Sequence, residues 1–272
     1  MKILILNDIH SGESRESTTH PGTIRQANTE AVAKLMECVD IFNNEKFDLV
    51  INMGDVIRDV KDHNKDFALF KNVMQIFARI NGEKIFIPGN HELRTLGQAD
   101  FSTVADPLNI NSSPRGYVDI GEYRLYWIDS TLGANDLASV SEETINWLKG
   151  VIDPSRQSII FSHYSIVSLD GLDSFYFDNG YRYMSYTNGS EVADLFKGSK
   201  SVVAINAHTH MSTYKILGNV QSVSALAFSE NITTPQYPDL NPGIYSLLIL
   251  EKEKKLFKSY SGGYCFLSFE LS

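Results

Sequence analysis

The order of apolar segments over residues 1–89 constrains this chain more than any other feature. Residues 2–7, around Ile3-Leu4-Ile5-Leu6, read as an unbroken buried strand. Ile24, Ala27, Ala31, Leu35, Val39 and Phe42 then recur at three- or four-residue spacing, so a helix is expected over 24–42. Residues 48–53 form a second apolar strand. Phe67, Phe70, Val73, Phe77 and Ile80 mark a second amphipathic helix, with Gly82 expected to stop it. Residues 84–87 give a third strand, closed by Pro88-Gly89. This βαβαβ order implies a parallel sheet with helical cover.

The rest of the chain changes character. Residues 94–115 read as irregular, followed by a hairpin of 116–120 and 123–128 turned at Gly121-Glu122. Ser141 is expected to cap a helix running to Leu148, with Glu142 and Glu143 in its first turn and Gly150 past its end. Residues 157–162 and 201–206 are apolar strands, and a helix from Ser190 to Lys197, ended by Gly198, precedes the second. From residue 213 onward the pattern is strand-like, at 213–217, 220–227, 243–250, 255–260 and 264–270. Early βα units and a β-rich tail point to an α/β protein with two sheets packed face to face and helices outside. No linker-like stretch divides residues 1–272, so one domain is expected.

Charge narrows the possible partners. Thirty-three Asp and Glu against 24 Lys and Arg leave a net charge of −9, which argues against general nucleic-acid binding. A small anionic substrate stays open, because a bound cation can reverse the local sign. Cys38 and Cys265 alone make no disulfide framework and are expected as reduced thiols. No run approaches the roughly 20 apolar residues of a membrane span. The opening apolar run is too short for a signal peptide, so a cytoplasmic location with no membrane partner is expected.

The chemistry is concentrated at strand ends. Five of the seven histidines follow expected strands closely, beside Asp or Asn: Asp8-Ile9-His10, Gly54-Asp55, Gly89-Asn90-His91-Glu92, Ser162-His163 and His208-Thr209-His210. Ligands of open α/β sheets bind at the carboxyl ends of strands. On an extended segment residues i and i+2 face one side, so Asp8 with His10, and His208 with His210, are each expected to converge on one point. Gly54 and Gly89 allow a sharp turn or close approach beside the candidate ligands. Imidazole, carboxylate and amide donors without thiolate suit Mn, Fe, Zn or Co. Seven donors exceed one tetrahedral ion and suit two ions sharing a carboxylate, an arrangement able to clamp an in-line phosphoryl displacement. His20 and His63 lie in polar loop text and read as surface residues.

In this order the motifs Asp-x-His, Gly-Asp, Gly-Asn-His-Glu, His and His-x-His resemble the calcineurin-like metallophosphoesterases, over residue 4 to about 228. The resemblance implies a four-layer αββα sandwich of two mixed sheets and a binuclear metal site. It assigns Asp8, His10, Asp55 and His210 to one divalent ion and Asp55, Asn90, His163 and His208 to the other. A hydroxide bridging the ions would attack phosphorus, and His91, itself no ligand, would protonate the leaving oxygen or stabilise charge developing there.

Three positions depart from the family's pattern. Where a carboxylate often stands three residues after the shared Asp, this chain has Arg58, followed by Asp59. If residues 55–59 begin a helical turn, Asp59 can orient His91 and Arg58 can reach a phosphate oxygen; the alternative is a solvated Arg58 beside an N-terminal Asp59. Ala207 replaces a usual glycine and Ser165 a frequent proline, changes of turn shape rather than of donors. Glu92 is read as a buttress of its turn.

The substrate is less sharply indicated. Residues 141–164 and Pro242-Gly243-Ile244-Tyr245 are similar to class III cyclic-nucleotide phosphodiesterases. The run from Gly22-Thr23 to Asn43-Asn44-Glu45 and Gly54-Asp55 is similar to manganese-dependent ADP-ribose and CDP-alcohol diphosphatases. A phosphodiesterase or pyrophosphatase acting on a small, nucleotide-like phosphorylated substrate is therefore expected, with manganese the favoured ion. The rival readings are a phosphomonoesterase and a non-catalytic scaffold of the same fold. Aromatic residues cluster at 175–186 (Phe175, Tyr176, Phe177, Tyr181, Tyr183, Tyr186), where a self-packed loop or dimer contact is preferred over a base-stacking lid.

Overall fold

The computed structural model describes residues 1–16, 24–133, 135–172, 183–230, 242–252 and 254–271. The chain begins β1 (Lys2–Leu6), β2 (Arg15–Glu16), β3 (Ile24–Gln26), α1 (Asn28–Asn43), β4 (Leu49–Asn52), α2 (His63–Phe77), β5 (Lys84–Phe86), α3 (Asn90–Leu93) and α4 (Gln98–Ala105). It continues β6 (Ile110–Asn111), β7 (Arg115–Ile120), β8 (Tyr123–Ile128), β9 (Thr131–Leu132), β10 (Ala138–Ser139), α5 (Glu142–Val151), β11 (Gln157–Ser162) and α6 (Gly189–Leu195). The tail holds β12 (Val202–Asn206), β13 (Thr213–Leu217), β14 (Val220–Ser224), β15 (Tyr245–Leu250), β16 (Lys255–Ser261) and β17 (Tyr264–Leu271).

Two large mixed sheets carry the architecture. The first has the order β17-β16-β15-β1-β4-β5-β6, the second β13-β14-β12-β11-β8-β7. In the first, β1, β4, β5 and β6 run parallel and β15 to β17 join antiparallel. In the second, β8, β11, β12 and β14 run parallel, with β7 and β13 antiparallel at the edges.

Strand periodicity explains the layers. On β1, Ile3 and Ile5 face the second sheet, where they join Leu125, Trp127, Ile159, Phe161, Val203 and Ile205. Leu4 and Leu6 point the other way, onto Leu35, Val39 and Phe42 of α1 and Phe70, Val73 and Phe77 of α2. The outer face of the second sheet is covered by Ile145 and Leu148 of α5 and Val192 of α6, against Tyr126, Ile160 and Ala204. The result is the four-layer αββα sandwich. Central strands buried on both faces read as continuous apolar runs for this reason. No helix among the described residues is long and apolar enough to cross a membrane. Cys38 and Cys265 are free thiols.

Several boundaries differ from the sequence reading. Ile24 lies in β3, paired with Glu16 of β2, and the helix starts four residues later at Asn28. α2 starts earlier than its apolar stripe, at His63, because the Asp62 carboxylate accepts the backbone N–H of Asn64 and Lys65. α2 ends at Phe77, so Gly82 turns the following loop at φ 115° and does not stop the helix. Residues 94–115 are not wholly irregular: α4 forms there, its first turn closed by Gly97 N–H donating to Asp100, and β6 extends the sheet. Ser141 caps α5 as expected, but Gly150 lies inside that helix.

Candidate metal centre

The parallel strands of both sheets deliver the motif residues to one end of the sandwich. Beyond β1 and β4 the two loops stay zipped together. Asp8 N–H donates to Gly54 O (2.9 Å), His10 to Asp55 O (2.8 Å), Ser11 to Val56 O (2.9 Å), and Arg58 returns to Ser11 O (2.9 Å). Asp8 and His10 do converge, but not as an extended segment. Asp8, His10, Asp55, His208 and His210 all adopt left-handed backbone, with φ of 50°, 50°, 52°, 65° and 56°. Such a conformation is uncommon for residues other than glycine. Gly54 and Gly89 serve the close approach expected of them. A Cβ on Gly54 would lie 2.3 Å from Gly89 N, and one on Gly89 would lie 2.2 Å from Asp55 Oδ1.

All seven expected donors gather around two adjacent points. Around the first, His10 Nε2 lies 3.0 Å from His210 Nε2, and Asp8 Oδ1 lies 3.7 and 3.3 Å from these two atoms. Around the second, His163 Nε2 lies 3.4 Å from Asp55 Oδ2 and 3.2 Å from Asn90 Oδ1, with His208 in the same cluster. Asp55 Oδ2 also faces His10 Nε2, at 3.8 Å, so it stands between the two points. The expectation that His208 and His210 share one point is therefore corrected. The left-handed turns splay them, sending His210 toward Asp8 and His10 and His208 toward Asp55 and His163.

The donor atoms fit metal ions. Donors about 2.0–2.1 Å from a tetrahedral ion lie roughly 3.4 Å from one another, close to the separations here. Asp8 Oδ2 is occupied by Asn7 Nδ2 (2.6 Å) and His208 N–H (3.1 Å), while Asp8 Oδ1 is buried without a hydrogen-bond partner. His163 donates Nδ1–H to Met53 O (2.7 Å) and His208 donates Nε2–H to Tyr183 O (2.8 Å), which leaves each with one lone pair for the cluster. The field favours a cation. Burial alone would lower His163 and His210, yet Asp55 and Asp8 raise them to about 9. Burial also opposes ionisation of Asp8, but His210 and His163 hold it at about 2.

His91 stands beside the cluster, its ring edge-on to His10 at 4.8 Å. Its backbone N–H donates to Asp55 Oδ1 (2.9 Å), and its Nδ1 bonds Asp59. Burial alone would raise the Asp59 carboxyl, but His91 and Arg94 hold it below the usual carboxylate range. No helical turn links Asp55 to Asp59. The loop is non-helical, so the expected helical route is corrected while Asp59 still meets His91. Arg58 lines the cavity over the cluster, about 370 Å³ in volume, with Arg15, Arg94 and Tyr183.

Other residues matter that the sequence reading placed differently or missed. Glu92 is the buttress expected of it: buried, it accepts the N–H of Asp55 (2.8 Å), Ile57 (3.0 Å) and Gly89 (2.8 Å). Its carboxyl is pushed up to about 7, by burial first and then by Asp55. Arg94 was missed, though it sits three residues after His91 at the end of α3, a spacing that shares a face. Glu230, whose carboxylate lies 3.2 Å from His210 Nδ1, was missed for want of any local signal. Ala207 avoids left-handed backbone, which explains why no glycine is needed there. His63 is half exposed beside Asp100, as expected for a surface residue. His20 and residues 175–182 of the aromatic segment lie outside the described residues. Tyr186 is buried against Tyr164, which packs on His208 at 4.1 Å.

Comparison with known proteins follows the same lines. A dimetal phosphatase from Danio rerio superposes with a TM-score of 0.71 at 14% identity, covering 100% of this chain and 99% of its own. A Thermus thermophilus protein gives 0.55 at 14% identity, with 96% and 98% covered. A phosphopantetheinyl hydrolase from Mycobacterium tuberculosis gives 0.52 at 12% identity, with 87% and 97% covered. At these identities they share the fold. No curated protein sequence matches the chain. The family-level match is to calcineurin-like phosphoesterases over residues 1–212 of 272, a span that holds every strand end contributing to the cluster. The chain therefore belongs to the calcineurin-like phosphoesterase family and is a metal-dependent phosphoester hydrolase.

Proposed function

We propose that this chain, working as one domain, is a phosphodiesterase or pyrophosphatase of nucleotide-like small molecules. Asp8, His10, Asp55 and His210 would hold one divalent ion and Asp55, Asn90, His163 and His208 a second, with manganese favoured. The observation that carries the reading is Asp55 Oδ2 facing His10 Nε2 and His163 Nε2 at 3.8 and 3.4 Å, between two donor groups. When bound, two such ions supply a nucleophile from water near neutral pH and polarise the phosphoryl oxygens.

The protein's own groups do the rest. Asp59 accepts Nδ1–H of His91, which fixes the ring and leaves Nε2 to hold a proton for the leaving oxygen. Arg58, on the cavity wall, is placed to meet a phosphate oxygen. A cavity of about 370 Å³ is within the range of small-molecule sites and has room for organic groups beside one phosphoryl. Two free cysteines are in keeping with a reducing, cytoplasmic setting.

The test loads the purified protein with Mn²⁺ and compares bis-p-nitrophenyl phosphate with p-nitrophenyl phosphate, then with a nucleotide panel. Preference for the diester is the expected result. A strong monoester preference would overturn the choice of bond, and bound metal without any hydrolysis would overturn the role of His91 and favour a non-catalytic scaffold.

A further inference from the structure

The metal cavity continues past His91. A second cavity of about 560 Å³ adjoins it and shares Arg58, His91, Arg94 and Asp136 with it; Asp59 and Lys61 also line the second cavity. Five of these side chains are charged, and the acidic ones are already engaged. Asp59 is held by His91 and by Arg94 Nη1 at 3.0 Å, and Asp136 by Arg94 Nη2 at 3.2 Å. Arg58 and Lys61 have no carboxylate within ion-pair distance among the described residues. In a chain of net charge −9, two cations without a contact ion pair on one cavity wall favour an anion there.

The wall is also built in place. Arg58 N–H is tied to Ser11 O, and a Cβ on Gly12 would lie 2.9 Å from Arg58 Cβ, so the glycine makes room for it. Lys61 holds a left-handed backbone at φ 60° although it packs in no core. Such conformations collect at functional sites.

The position of His91 gives the second cavity its meaning. His91 lines both cavities, and in the proposed reaction its proton goes to the leaving oxygen. The departing group then lies on the side of Arg58, Lys61 and Arg94. Resting on the proposed function, we infer that the second cavity is a leaving-group subsite for an anion. The substrate is then a phosphoanhydride, or a diester whose leaving group carries its own phosphate. Water forms the new P–O bond, the P–O bond to the leaving oxygen breaks, the His91 proton passes to that oxygen, and the proton that water gives up restores the one His91 lost. The departing product consequently carries a phosphate retained against Arg58 and Lys61.

The experiment uses the full-length Mn²⁺-loaded protein with two substrates. The leaving group of bis-p-nitrophenyl phosphate carries no phosphate, whereas a dinucleoside pyrophosphate releases a nucleotide. Lys61→Gln is expected to raise KM for the pyrophosphate about five- to tenfold, with bis-p-nitrophenyl phosphate kinetics unchanged and Lys61→Arg restoring the pyrophosphate value. Calorimetric titration with a nucleoside monophosphate should show the same weakening, and the wild-type affinity should fall with salt. Equal KM values in wild type and Lys61→Gln, or an equal effect on both substrates, would overturn the subsite. If the wild type hydrolyses the diester without these differences, only the subsite fails. If it hydrolyses neither substrate, the proposed function fails, and unchanged nucleotide affinity in Lys61→Gln then overturns the subsite independently.

Discussion

Gly89 offers a test of how tightly the centre is built, because its side chain is excluded by space alone. Its backbone, at φ −97° and ψ −175°, is extended and open to any residue. A Cβ there would lie 2.2 Å from Asp55 Oδ1, 2.5 Å from Asp55 N and 2.7 Å from His163 Cε1. Non-bonded heavy atoms rest at about 3.5 Å, so Gly89→Ala forces a shift of about 1 Å in the Asp55 loop or in its own. Metal–donor distances tolerate only about ±0.2 Å. The variant should therefore lose about 10- to 100-fold in Mn²⁺ affinity. Overpacking should also cost about 1–3 kcal/mol of stability, which lowers Tm by about 2–4 °C per kcal/mol. Gly97→Ala is the matched control: Gly97 also precedes a helix in extended backbone, and its Cβ would meet nothing within 4 Å. Metal per chain after dialysis, by inductively coupled plasma mass spectrometry, and thermal melts with and without Mn²⁺ report both effects. Wild-type metal content and Tm in Gly89→Ala, or equal losses in Gly97→Ala, would refute the packing argument.

Asp59→Asn should lower kcat by about 10- to 100-fold while Mn²⁺ content holds, because it releases His91 without touching a proposed ligand; loss of metal would contradict that separation. Glu230→Gln should weaken Mn²⁺ binding about tenfold or more in a calorimetric titration, since the carboxylate steadies His210 from behind. Burial pushes the Asp129 carboxyl up to about 6, so its folded-state pKa lies above its unfolded value. The sign follows: its contribution is fully present below about pH 4 and is lost as pH rises through about 6, a change of about 2–3 kcal/mol. Asp129→Asn removes that slope, so its urea midpoint relative to wild type should rise between pH 4.5 and pH 7.5, and a constant difference would count against the shift.

What the sequence made legible was whatever depends on local pattern. β1 is readable because burial on both faces leaves Ile3 to Leu6 uninterrupted, and the seven donors because each follows such a strand. The partition of His208 and His210 was implied by the family resemblance but not readable from their spacing. It depends on left-handed turns at His208 and His210, which the extended-segment spacing argument does not describe. Asp59 was found by its distance along the chain from Asp55, but its route to His91 is a loop path that helical spacing does not describe. Glu230 approaches His210 across 20 residues of chain, and nothing in its neighbours marks it. α4 was hidden because its stabilising cap, Gly97 N–H on Asp100, lies within the helix's own first turn.

The five left-handed residues at the proposed ligand positions have a consequence for how much of this protein a cell can keep. Backbone of this kind costs about 1–3 kcal/mol per residue, and the whole stability of a domain is only about 5–15 kcal/mol. Divalent ions that bind the folded site and not the unfolded chain would offset that burden by mass action. Metal starvation would then do more than silence the enzyme: the ion-free chain would spend more time open to proteases, and its steady-state level would fall with the metal supply.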